Sequence, residues 1–201
     1  MKTLYIVASP RGERSKSVEL ANHVLARLGG EITTVDLYNS FVPYLSEQVI
    51  AFVYGFVKYE DLSPENKKVA DVQRVFIDQL KSADNLVIAA PMWNFGMPAA
   101  LKAWFDLIIK VGETFSMNNG ARQGIVKNIK HAIVTGARGG VYIDTPAAFY
   151  DMLTGHIHGL LGFIGIENTK AFWIEGVNAL PEALPENMAN VKSDIDAYFA
   201  V

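Results

Sequence analysis

Five short apolar runs, separated by stretches of helical period, set the class of fold open to this chain. Leu4–Ala8, Ile32–Val35, Leu86–Ala90 and Ala132–Thr135 are β-branched or leucine-rich and do not alternate with polar residues. That pattern marks strands covered on both faces of a parallel sheet. Lys170–Ile174, with Phe172 and Trp173, makes a fifth. Between the runs, apolar residues recur at steps of three and four: Val18, Ala21, Leu25 and Leu28; Val69, Val72, Phe76 and Leu80; Leu101, Trp104 and Ile108 in a helix over Ala99–Ile109. Tyr150, Leu153, Ile157 and Leu160 repeat the period, and Met188, Val191, Ile195 and Tyr198 close the chain. Ser63-Pro64-Glu65 reads as a helix start, with a capping hydroxyl and a proline at the first helical position. The expected fold is α/β: a three-layer α/β/α arrangement around a doubly wound five-stranded parallel sheet, in a single domain spanning residues 1–201.

Composition narrows the chemistry. With half of the residues hydrophobic and a net charge of −3, the chain has material for a core but no field for nucleic acid and no polybasic membrane patch. It contains no cysteine, which removes disulfides, iron–sulfur ligation, thiol catalysis and the usual soft zinc sites. No run reaches the roughly 18 apolar residues of a spanning helix, and the N-terminal run is too short for a signal peptide. A cytoplasmic protein is expected.

In such sheets ligands sit outside the carboxyl ends of the strands, near the point where strand order reverses. Three loops therefore matter. Ser9-Pro10-Arg11-Gly12-Glu13-Arg14-Ser15-Lys16-Ser17 brings hydroxyls and free amides to a helix start, which suits a phosphate. It has neither a P-loop ending nor a Gly-x-Gly-x-x-Gly pattern; the plain alternative is an ordinary turn in which Ser15 or Ser17 caps the helix. Pro91-Met92-Trp93-Asn94-Phe95-Gly96-Met97-Pro98 puts large apolar side chains where polar ones are expected. A flat apolar ring would need such a wall, with Asn94 at its polar edge; the alternative is a loop packed under a neighbouring helix. Ala137-Arg138-Gly139-Gly140 follows the fourth run, its glycines permitting close backbone approach.

These three segments, with Pro98–Trp104, Glu113-Thr114-Phe115 and Gly162-Phe163-Ile164-Gly165, resemble the FMN-dependent NADH-azoreductase family of the flavodoxin-like quinone reductases. The resemblance implies that Ser9, Ser15, Lys16 and Ser17 hold an FMN phosphate. It implies that Pro91, Met92, Trp93, Asn94 and Phe95 cradle the ring and ribityl chain, while Ala137, Arg138, Gly139 and Gly140 border the pyrimidine end. It further implies a homodimer, NADH or NADPH as donor, and ping-pong transfer of two electrons to quinones or azo compounds, with no catalytic side chain. No metal site is expected, since His156 and His158 stand two apart on different faces of a helix with no cysteine to join them. The substrate pocket would include Lys58, Tyr142 and Phe163. Trp93 stands where that family usually has tyrosine, and Tyr142 where it has histidine. A flavodoxin-type electron carrier is the alternative function.

Two further segments carry expectations. Phe41–Leu62 holds Phe41, Tyr44, Phe52, Tyr54, Phe56 and Tyr59 outside any core strand. Either it lines a dimer interface and lids the partner's flavin, or it adds a helix to the protomer's own core. Thr114–Val126, with Asn118-Asn119-Gly120 as its turn, reads as a hairpin that shapes the pocket rim or forms a structural flap.

Overall fold

A computed structural model describes residues 1–200. The five apolar runs form the five strands of one parallel sheet: β1 Lys2–Val7, β2 Glu31–Asp36, β3 Asn85–Pro91, β6 His131–Ala137 and β7 Thr169–Ile174. Their order is β2-β1-β3-β6-β7, and a two-stranded hairpin, β4 Phe115–Asn118 with β5 Ala121–Gly124, stands apart. Helices α1 Lys16–Leu28, α3 Pro64–Ser82, α4 Ala99–Ile108, α5 Met152–Ile164 and α6 Leu184–Phe199 cover the sheet, with a short α2 at Glu47–Val53.

Burial follows the pleat. Leu4, Ile6, Ala8, Leu86, Ile88, Ala90 and Val134 face one core, shared with α3, α4 and α5. Tyr5, Val7, Val87, Ala89 and Ile133 face the other, shared with α1 and α6. Because both faces are covered, the central strands read as unbroken apolar runs. Burial also raises the pKa of the Tyr5 phenol well above its ordinary value, with the Asp36 carboxylate adding to the effect.

The second run departs from expectation. In β2 only Val35 is buried, and Ile32 is 44% exposed, because this strand is the sheet's edge. The helix starts also sort themselves by capping chemistry. Ser63 caps α3, its hydroxyl accepting from the Asn66 amide at 3.3 Å with Pro64 at the first position. α5 begins two residues later than its periodicity suggests, since Asp151 accepts from the amides of Leu153 and Thr154. Tyr150 is left outside α5, in an exposed single turn.

Residues 41–62 adopt parts of both expected forms. Val49 and Val53 of α2 are buried, and Gln48 ties the segment to α3 through Ser63 and Asn66. The aromatics stay outside: Phe41 is 66% exposed, Tyr44 77% and Phe56 84%. The hairpin forms with Asn119 and Gly120 at φ +50° and +78°, as a tight turn requires. It packs on the far end of α5: Arg122 reaches the carbonyls of Gly162 and Phe163, and a Cβ on Gly124 would lie 2.2 Å from the Gly165 amide nitrogen. Among the described residues no helix is long and apolar enough to cross a membrane.

Candidate active site

Strand order reverses between β1 and β3, so the loops leaving them diverge and open a crevice. All three loops singled out from the sequence meet there. One pocket is lined by Ser9, Arg11, Ser15, Lys16, Pro91, Met92, Trp93, Ala137, Arg138 and Gly139, joined by Val177 and Asn178. Its enclosed volume is about 110 Å³, below the ~300–1,000 Å³ of pockets that engulf a small molecule. A larger ligand would extend beyond it. A groove of about 500 Å³ runs beside β7 at Phe172 and Tyr198, but it gathers none of the three loops.

The enclosed end is polar. Ser9, Ser15 and Ser17 are all buried, and the Ser15 and Ser17 hydroxyls lie 2.9 Å apart. Ser15 is the residue before α1, yet its hydroxyl caps no amide. This rules out the simple capping account of these serines. The amides at the start of α1 keep no side-chain partner, and the positive end of the helix dipole faces the pocket. Thr135 of β6 fixes this start by donating to the Ser17 carbonyl at 2.9 Å. Lys16 lines the pocket too, though its ammonium is held by Glu19 at 2.8 Å. Buried hydroxyls beside free amides fit a phosphate group.

The open wall is apolar and strained. Trp93 and Gly96 exchange both backbone hydrogen bonds at 3.0 Å, closing a tight turn through Asn94 and Phe95. Its two central residues take φ +47° and +70°. Asparagine tolerates that region, whereas phenylalanine pays for it. The turn leaves Trp93 39% and Phe95 46% exposed, so the wall is not buried under a neighbouring helix. Tyr38, after β2, stands 6.1 Å from the Trp93 ring and was not anticipated. Phe95 is braced from behind by Tyr150 at 5.1 Å and by the Met152 amide on its carbonyl at 3.0 Å.

The third side is the glycine loop with the loop after β7. Val177 and Asn178 donate their amides to the carbonyls of Arg138 and Gly139, each at 3.0 Å. A Cβ on Gly139 would sit 2.9 Å from the Asn178 amide group, so the two loops are in close contact. Asn178 and Val177 follow the fifth strand at the same sheet edge; that position was the signal by which they could have been found.

Four expected residues are placed differently. Arg138 is among the lining residues, but its side chain is 1% exposed and paired with two carboxylates. Tyr142 stands behind Gly140, 3.3 Å from where a Cβ would be, and does not line the pocket. Phe163 packs on Phe115 of the hairpin at 4.8 Å, at the end of α5 remote from the three loops. Within one protomer neither it nor the hairpin borders the pocket. Lys58 is exposed beside the 59–61 turn and forms none of the pocket's lining.

A family model described as flavodoxin-like fold matches residues 1–199. The FMN-dependent NADH:quinone oxidoreductase of Shewanella denitrificans is 33% identical over 202 residues, covering 99% of each chain. That of Vibrio parahaemolyticus is 33% identical over 96% of this chain and 97% of its own. Among solved structures, an azoreductase from Bacillus anthracis superposes with a TM-score of 0.89 at 28% identity, covering 99% of this chain and 98% of that one. An FMN-dependent NADH-azoreductase of the same organism, in complex with FMN, gives 0.83 at 25% identity, over 99% and 100%.

Proposed function

Because the chain belongs to the flavodoxin-like fold family, we propose that its crevice holds FMN and that it is an oxidoreductase passing two electrons from NADH or NADPH to quinones and aromatic azo compounds. The observation that carries this is the pairing of one polar end, where Ser9 and Ser15 line the pocket and Ser17 bonds Ser15 from behind, with Trp93 on the pocket and Phe95 exposed in the turn beside it. The first fits a phosphate, and the second fits a flat ring that the enclosed volume cannot contain.

FMN, when bound, supplies a centre that accepts a hydride from a nicotinamide and delivers it to a second flat molecule. The chain's own work is placement. The serine hydroxyls and the first amides of α1 bind the phosphate, while Trp93 and Phe95 orient the ring and shed water from one side. Donor and acceptor use the same open face in turn, which is a ping-pong order. No side chain is assigned as general acid.

The reading includes a single FMN-binding domain, a homodimer and a cytoplasmic site of action. The dimer is supported by the exposed aromatics of residues 41–62, a cluster too apolar to leave in water. Lys58 and Phe163 then belong to the assembled pocket. A sedimentation run giving a strict monomer would remove this part. The cofactor and first half-reaction are tested by the visible spectrum of the purified protein and by anaerobic titration with NADH. A flavin spectrum bleached by NADH is expected, and a protein that gains no flavin absorbance with added FMN would refute it. An electron carrier would turn over poorly with NADH and a quinone; steady NADH oxidation is expected instead.

A further inference from the structure

Arg138 is one of the pocket's lining residues, yet its guanidinium is buried. Nη1 donates to Glu175 at 2.7 Å, and Nη2 donates to Asp151 at 2.5 Å and to Thr154 at 2.6 Å. The guanidinium carbon lies 4.2 Å from the Trp173 ring, and Nε has no partner. Buried ion pairs are poor stabilisers, since desolvation cancels much of their attraction. A fold needing only a filled core would serve as well with apolar residues here.

What the cluster does is join the sides of the pocket. Besides Arg138, Glu175 accepts the amides of Tyr142 and Ile143, each at 3.1 Å, and so holds the glycine loop. Next along the chain, the Gly176 amide donates to the Gly140 carbonyl at 2.8 Å. Asp151 caps α5, whose first amide, Met152, holds the carbonyl of strained Phe95. One guanidinium thus fixes the glycine loop relative to the aromatic wall. Two carboxylates against one cation also leave a net negative charge beside the pocket.

We infer that Arg138, Asp151 and Glu175 form a positioning unit that sets the width of the ring slot and disfavours the electron-rich, reduced ring within it. This rests on the FMN reading above. Neither Arg138 nor the carboxylates need touch the ring.

The test uses the full chain loaded with FMN and reads two quantities, FMN affinity and the reduction potential of the bound flavin. Glu175→Gln keeps the shape and removes one charge. It is expected to weaken FMN binding about tenfold and to move the potential to more positive values. Arg138→Lys keeps the charge but cannot bridge two carboxylates with one planar fork. It is expected to weaken binding similarly while leaving the potential near that of the unaltered protein. If both variants bind FMN within about twofold of the unaltered chain at unchanged potential, and only melt earlier, the unit is a structural clamp and the inference fails. If the unaltered chain itself binds no FMN, the proposed function fails first and this inference falls with it.

Discussion

The two ends of the crevice are built on opposite principles. At the phosphate end polar groups are buried: Ser9 is 2% exposed, Ser15 3% and Ser17 0%, on unstrained backbone. At the ring wall apolar groups are exposed, on a turn that forces Phe95 to φ +70°. Each inverts the usual rule of burial, and each inversion costs stability unless something completes it. A surface that hides hydroxyls and displays aromatics within one cleft is complementary to a molecule with an anionic end and an apolar end. The two ends also differ in how they are held. The first depends on the start of α1 and on Thr135, and the second on Tyr150 and the Met152 amide.

The sharpest way to break this contrast is to remove the polar end alone. A Ser15→Ala, Ser17→Ala double variant deletes both partners of one buried hydrogen bond, leaving no orphan, so stability should change little. Two hydrogen bonds to a charged phosphate are worth about 1.5–3 kcal/mol each. FMN affinity, measured by fluorescence quenching, should therefore fall by about 100-fold or more. Unchanged affinity would mean that the phosphate lies elsewhere. At the other end, Phe95→Gly relieves a conformation costing about 1–3 kcal/mol but gives up the Tyr150 contact, worth about 0.5–1.5 kcal/mol. The FMN-free protein should melt no lower than the unaltered one, and FMN binding should weaken about tenfold. A lower melting temperature would show that the turn stores no strain.

Legibility from sequence differed between the two ends for the same reason. Exposed aromatics and prolines are conspicuous after a buried strand, so the wall was readable from Pro91–Phe95 alone. Three serines before a helix are ordinary, and only the structure shows that Ser15 leaves its helix uncapped. The strands were readable wherever both faces are covered. β2 kept an apolar run while lying at the edge, because edge position is set by topology and not by local composition. Arg138 illustrates the limit most clearly. Its partners lie 13 and 37 residues away, and nothing in Ala137–Gly140 indicates that their carboxylates will turn the guanidinium inward. Phe163 and the hairpin were recognisable as a motif, but their position depends on where α5 ends.

A finer test separates two functions proposed for the wall, holding the ring and shaping access to it. Trp93→Tyr keeps an aromatic face and shortens the side that meets Tyr38. FMN affinity should stay within about twofold, while KM for a bulky acceptor shifts by a few-fold more than KM for a small quinone. Equal shifts for both acceptors would assign Trp93 to the cofactor alone.

The smallest expected effects come from the charged contacts between α1 and α6. Lys16 first and Lys192 second, both at 2.8 Å, hold the Glu19 carboxyl below its ordinary pKa. His23 and then Arg27 do the same for Asp196. A carboxyl depressed in the folded state adds stability that is present above the ordinary carboxylate range and is lost as pH falls through the depressed value. The chain should therefore lose a little stability below about pH 4, and Glu19→Gln with Asp196→Asn should flatten that slope in melting curves. These carboxyls are partly exposed and screened by solvent, so the Glu19 contribution stays well under about 1 kcal/mol. The same Glu19→Gln change also sharpens the account of the phosphate end. It frees the Lys16 ammonium beside the pocket, and if hydroxyls and amides alone hold the phosphate, FMN affinity should stay within about twofold. A clear gain in affinity, strongest at low salt, would instead show that Lys16 is a phosphate ligand that Glu19 restrains.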